Sequence, residues 1–222
     1  MYTTQAITSA SLASIARTIY TGGPLLTRVL QHWRPYVCPF DKVIEEIPPG
    51  SFVLDIGCGG GLLLGAAARM GRISGGVGFD FSMDAINVAN AMTESLGPDH
   101  HLQFLHLSAL DAWPQGTFTL VSLIDVMHHV PPAAQRDVFR KAANAVQPGA
   151  RMLYKDIAPR PRWRAAANTV HDLLLARQWV HYVPMTTIHA WAKEEGLNPV
   201  REYRLNRLWY GHQFAVFVRP NY

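Results

Sequence analysis

From residue 51 onward, short apolar runs alternate with longer amphipathic stretches, and Gly, Pro or polar turns separate them. FVLDIG (52–57), GGVGFDF (75–81), LQFLHL (102–107), FTLVSLID (118–125) and RMLYKDIA (151–158) are apolar runs without strict alternation. That is the pattern of parallel strands covered on both faces. Between them, GLLLGAAARMG (61–71), SMDAINVANAMTESLG (82–97) and PAAQRDVFRKAANAV (132–146) read as helices. Repeated strand–helix–strand spacing predicts a doubly wound α/β domain. The tail breaks that rhythm. A helix over 162–180 and another over 186–196, with HYVP (181–184) between, precede two strands at 198–205 and 211–220. So short a link makes these last strands an antiparallel hairpin. Ahead of the sheet, helices are predicted from Pro24, a favoured first-turn residue, and over 41–47.

Composition bounds the class. The 222 residues are 49% hydrophobic and 16% charged, enough for one domain with appended elements. No apolar run reaches membrane-spanning length, so the chain reads as soluble. Cys38 and Cys58 give no disulfide framework, and the opening lacks a secretory signal, which together predict the cytoplasm. The Ser/Thr/Ala-rich opening, acid-free up to Asp41, reads as a capping helix, so 1–50 form a helical cap on a 51–222 domain. Residues 1–150 carry 9 Lys/Arg and 11 Asp/Glu, whereas 151–222 carry 11 and 5. The basic tail, with Arg160, Arg162 and Arg164, suits an anionic or carrier-bound acceptor, or is simply a solvated surface. Apart from Trp163, no aromatic residues interleave with these arginines as a nucleic-acid face requires.

VLDIGCGGGLL (53–63) concentrates the chemistry. A strand, a Gly loop and a helix N-terminus present backbone N–H groups to a ligand. The dinucleotide fingerprint wants a third Gly where Leu62 stands, and Asp55 precedes Gly57 by two residues. An acid there sits poorly beside a pyrophosphate and well beside an ammonium group. Asp80 closes the next strand, 19 residues past Gly61, where a carboxylate can accept from ribose hydroxyls.

With GVGFDFSMDAI (76–86), LIDVMHHVP (123–131) and VQPGARMLYKDI (146–157), this loop resembles the ordered motifs of class I S-adenosylmethionine-dependent methyltransferases of the small-molecule branch. The resemblance covers about 51–157 and implies a Rossmann-like, seven-stranded, mostly parallel sheet ending in an antiparallel hairpin. It implies S-adenosyl-L-methionine as cofactor, with Asp55 toward the methionine ammonium and Gly57, Cys58 and Gly59 letting the backbone approach. Asp80 would take the ribose diol, with Phe81 and Met83 flanking the adenine and Ile124 on the cofactor side. Family members place an Asp after the third strand where Ser108 stands here. Either Ser108 or the Ala109 backbone then meets the adenine, with Leu110 or Asp111 lining it, or the loop shifts by a few residues.

Ligands of such sheets lie at the carboxyl ends of the strands, which brings Asp125, His128 and His129, and Tyr154, Lys155 and Asp156, toward the acceptor. His128 or His129 is the candidate general base, since imidazole titrates near neutrality. Lys155 is an ion-pair or solvent-facing strand end, or orients an acidic substrate. His171, His181 and Tyr182 fall in segments expected to form a substrate lid around 158–196, and Tyr20, Trp33 and Tyr36 to close over the cofactor. No metal site is spaced in the sequence. No NPPY tetrapeptide follows the fourth strand, against a nucleic-acid amino-methylating enzyme. The expected reaction is O-methylation of an aromatic, quinone-type or polyketide-like secondary metabolite. An NAD(P)-dependent oxidoreductase and a non-catalytic S-adenosylmethionine-binding accessory subunit are the alternatives.

Overall fold

The seven strands lie in one sheet in the order β3-β2-β1-β4-β5-β7-β6. The computed structural model describes residues 6–22, 24–159 and 180–221. The strands are β1 (Ser51–Ile56), β2 (Ile73–Asp80), β3 (Leu102–His106), β4 (Leu120–Ile124), β5 (Arg151–Ile157), β6 (Asn198–Arg207) and β7 (Tyr210–Val218). The first five run parallel, and β7 enters antiparallel between β5 and β6. The order reverses between β1 and β4, so the crevice at their carboxyl ends is the ligand position of this topology.

Side chains alternate between two apolar layers, as pleating requires. Val53, Leu153, Phe214 and Val216 join one layer, built with helices α1 (Ser9–Ile19), α3 (Phe40–Glu45), α4 (Leu62–Arg69) and α5 (Met83–Leu96). Leu54, Tyr154, Ala215 and Phe217 join the other, with α6 (Pro132–Ala145) and α7 (Met185–Glu194). Helix α7 therefore packs Met185, Ile188 and Ala192 on the sheet, and the lid helix expected over 162–180 lies outside the described residues but for Val180.

The N-terminal region is more ordered than its composition suggests. Helix α1 opens on a capping box, with Thr8 accepting from the Ser11 N–H and Ser11 from the Thr8 N–H. Helix α2 (Leu25–Val37) continues past Trp33 by another turn, through Pro35. This extension carries Arg34 to the glycine loop.

Candidate active site

The loop after β1 turns through left-handed conformations. Gly57 (φ +67°) and Gly59 (φ +54°) need glycine twice over. A Cβ on Gly57 would lie 2.5 Å from Val126, and one on Gly59 would lie 3.0 Å from the Arg34 guanidinium. Asp80 ties the loop down: its Oδ2 accepts from the Gly59 N–H (2.9 Å) and its Oδ1 from the Ser82 N–H (2.9 Å). Both oxygens keep acceptor capacity for a ligand. The Cys58 N–H donates to the Phe79 carbonyl at 3.0 Å, and burial first, then Asp55 and Asp80, raise its thiol pKa, so it is no nucleophile.

Asp55 is 2% exposed and accepts from Ser122 Oγ at 2.6 Å. Burial raises its pKa from 3.8 to about 7, against the opposing pulls of Ser122 and Arg34. Among the described residues no cation is ion-paired with it.

A cavity of about 230 Å³ opens beside these groups, lined by Gly57, Asp80, Phe81, Ser108, Ala109 and Leu110, and closed by Asp125, Val126 and His129. At the 108–111 turn, Ser108, Ala109 and Leu110 line the cavity and Asp111 does not. Asp111 Oδ2 accepts from the Ser108 N–H at 2.8 Å, capping its own turn, and it is Leu110 that faces the cavity. Phe81 lines the cavity, whereas Met83 is half-exposed on α5 and Ile124 is buried under the sheet end; neither lines it.

Around the acceptor side, two buried polar pairs form on opposite faces of β5. Lys155, wholly buried, places Nζ 2.5 Å from both Asp125 oxygens. It is therefore the ion-pair member of the expected alternatives and not a solvent-facing strand end, and its partner is Asp125. Its charge is spent on Asp125. Burial opposes both charges, but their mutual attraction prevails: the Asp125 pKa falls and that of Lys155 rises. Asp125 also accepts from Cys38 Sγ at 3.3 Å and holds a left-handed backbone (φ +57°), costly for a non-glycine residue. On the other face, Asp156 bonds His128 Nδ1 through Oδ1 and accepts from the His128 N–H at 3.2 Å. One ligand atom each of Asp125, His128 and Asp156 falls within 4.8 Å of the others, a convergence their sequence spacing conceals. The Lys155 ammonium already supplies positive charge there.

His128 is buried, with its ring 4.1 Å from that of the cavity-lining His129 and 6.0 Å from that of Tyr182. His181 is exposed and meets the site by its backbone, donating to the His128 carbonyl at 2.8 Å. His171, Arg160, Arg162, Trp163 and Arg164 lie outside the described residues. Of the aromatics expected to close over the cofactor, Tyr20 donates to the Gly60 carbonyl at 2.6 Å, and Tyr36 is half-buried. Trp33 instead points into solvent, 62% exposed. Arg34, not singled out in the sequence, reaches the loop because the end of α2 packs there. His212 also escaped notice. It lies buried on β7, where burial first and Lys155 next lower its pKa to about 3.

A glycine loop with acids at the ends of β1 and β2, at the switch point of a 3-2-1-4-5-7-6 sheet, defines a Rossmann-like methyltransferase fold. Residues 30–202 match the family model described as a methyltransferase domain, and the chain belongs to that family. It is 30% identical over 174 residues to a ubiquinone biosynthesis O-methyltransferase of Ralstonia nicotianae, covering 78% of this chain and 58% of the relative. To the enzyme of that name from Albidiferax ferrireducens it is 31% identical over 131 residues, covering 59% and 47%. The chain thus spans about half the length of these relatives. Magnesium protoporphyrin IX methyltransferase of Synechocystis PCC 6803, solved with bound S-adenosylhomocysteine, shares the fold at TM-score 0.66 and 19% identity, over 95% of each chain.

Proposed function

We propose that this chain is an S-adenosylmethionine-dependent O-methyltransferase acting on a small-molecule hydroxyl. The observation that carries the reading is the buried Asp55, raised to about 7 and lacking an ion-pair partner among the described residues, with Asp80 across the glycine loop. That pair suits a nucleoside with an ammonium-bearing tail. A dinucleotide would bring its pyrophosphate against Asp55. Arg34 is placed for the carboxylate of the same tail, and Phe81 with Ala109 and Leu110 for the base. The names of the relatives support an aromatic, quinone-type acceptor, and the net +4 charge favours an anionic or carrier-bound one. Residues 1–50 serve as the cap, Tyr20 holding α1 to the loop. Cys38 and Cys58, free and buried, suit the reducing cytoplasm.

The sulfonium of the donor supplies a methyl group already activated for displacement. The chain then aligns the acceptor, excludes water and removes the hydroxyl proton. With Nδ1 held by the Asp156 carboxylate, His128 carries its proton there and Nε2 is the basic nitrogen. Asp156 is a positioning residue, as a carboxylate behind a catalytic imidazole fixes its tautomer.

Titration calorimetry with S-adenosylhomocysteine and with NAD separates the donor classes: binding of the first alone is expected. Turnover of labelled methyl donor on a panel of phenols, carboxylates and amines then reads the acceptor. His128→Ala should lower kcat by about 10²–10⁴ and leave S-adenosylhomocysteine affinity unchanged. Full activity in that variant removes His128 as base.

A further inference from the structure

Three backbone carbonyls of the turn after β3 converge on one ammonium group. Lys141 projects from α6 and donates to the carbonyls of Leu110 and Asp111, both at 2.9 Å, and more loosely to that of Ala109 at 3.5 Å. An ammonium has three N–H donors, so this turn can take up all of them. Its neighbours on the helix, Arg136 and Arg140, pair with exposed carboxylates, whereas Lys141 is given to backbone oxygens. Trp113 completes the clamp. Its Nε1–H donates to the Ala109 carbonyl at 3.1 Å, its ring lies 5.6 Å from Lys141 Nζ, and it packs on Phe79 with centroids 5.3 Å apart.

The clamped turn is also a wall of the cavity. Ser108, Ala109 and Leu110 line it, while the Asp111 carboxylate folds back on the Ser108 N–H and Ser108 Oγ accepts from the Leu110 N–H at 3.2 Å. No acid therefore projects from 108–111 into the cavity, and a base bound there meets backbone groups and the Leu110 side chain. Peptide planes are rigid, so fixing their carbonyls fixes which way their N–H groups face. Lys141 does this without lining the cavity itself. It reaches the turn across a surface groove that it shares with Leu110, Asp111 and Trp113.

We propose that Lys141 is the positioning residue for the base of the methyl donor, setting the peptide planes of 109–111 and with them the edge that the adenine meets. The inference rests on the S-adenosylmethionine reading and adds the residue that governs base selectivity. Hydrogen bonds from an ammonium are stronger than neutral ones. Without it, the three carbonyls turn to water in the groove. The turn itself survives, because Asp111, Ser108 and Trp113 still hold it. What is lost is a single orientation of its peptides, and therefore discrimination between one base edge and another.

Calorimetry with S-adenosylhomocysteine and S-inosylhomocysteine tests this, since the two differ only at the base edge, a 6-amino group against a 6-oxo group with a proton on N1. Lys141→Met should weaken S-adenosylhomocysteine binding about tenfold and narrow the preference for adenine over hypoxanthine. In turnover it should raise the donor KM and leave kcat within about twofold. Lys141→Arg keeps the charge on a planar fork, so its affinity and its preference should fall between those of the parent and the Met variant. A lysine with a merely structural role lowers both affinities by one factor and leaves their ratio alone. That result overturns the proposal, as does unchanged S-adenosylhomocysteine affinity in Lys141→Met. If Lys141→Met does not fold, Lys141→Gln, which keeps a donor without the charge, takes its place in the same comparison with the same criteria. A parent chain that binds no S-adenosylhomocysteine overturns the donor reading and this inference together, a result distinct from a parent and a variant that bind equally well.

Discussion

Asp55 shows how one residue can be costly to the empty protein and useful to the loaded one. Its carboxyl ionises near 3.8 in an unfolded chain and at about 7 in the fold. Between those values the folded state holds a proton that the unfolded state has released. Stability from this group is therefore complete below pH 4 and lost as pH rises toward 7. A bound ammonium group needs the carboxylate, so the ligand profile runs the other way. Affinity for S-adenosylhomocysteine should fall by up to about tenfold for each pH unit below 7 and level off above it. Asp55→Asn removes both effects. At pH 8 the unliganded variant should melt several degrees higher, and its weaker binding should show no slope near pH 7. Calorimetry across pH 5.5–8.5 with parallel melts checks this, and a flat affinity profile in the parent chain counts against Asp55 as the ammonium partner.

At the scale of elements, the end of β5 does two jobs because adjacent strand residues face opposite layers. Lys155 points toward the α1–α5 layer and meets Asp125 from the neighbouring β4, while Asp156 points toward α6 and α7 and meets His128. The two consecutive charges, which look like one ion pair in sequence, each take a different partner. Removing one member of a buried pair leaves an uncompensated charge, whereas removing both does not. Asp125→Asn, which keeps a residue tolerant of positive φ, should cost about 3–5 kcal/mol. Adding Lys155→Met should recover most of that. Chemical denaturation of the two singles and the double closes the cycle. A double variant as unstable as the sum of the singles would show that the pair does not act as a unit.

Across the whole molecule, legibility in the sequence followed how local each signal was. The glycine loop, Asp55 and Asp80 could be read because strand ends and dense glycine are consecutive features, and the parallel strands with their closing hairpin followed from the same units. Helix α2 could not. Its apolar positions 25, 26, 29, 30 and 33 fall on one face and read as core, yet they face solvent while Gln31 and Arg34 face the loop. Periodicity finds the face but not its direction. Tertiary contacts supply the direction, and a principal one is Arg207 at the end of β6. Its guanidinium donates to Ser9 Oγ (2.5 Å), the Pro35 carbonyl (2.9 Å) and Asp41 Oδ2 (3.0 Å), joining α1, α2 and α3 to the C-terminal hairpin.

That clamp spans 166 residues of chain between Arg207 and Asp41, and both members are largely buried. Arg207→Ala should then cost about 2–4 kcal/mol, since it strands the Asp41 carboxylate and two further acceptors. Because α2 carries Gln31 and Arg34 to the glycine loop, the same change should weaken S-adenosylhomocysteine binding from a distance. It should also speed hydrogen exchange in 25–37 more than in β1 or β4. Arg201 supplies the contrast. It pairs with Glu46 at 2.8 Å but is 63% exposed, so Arg201→Ala should stay within about 0.5 kcal/mol and leave the ligand untouched. If the two alanine variants melt and bind alike, the register of α2 is set by its own packing, and the hairpin is not what turns its polar face inward.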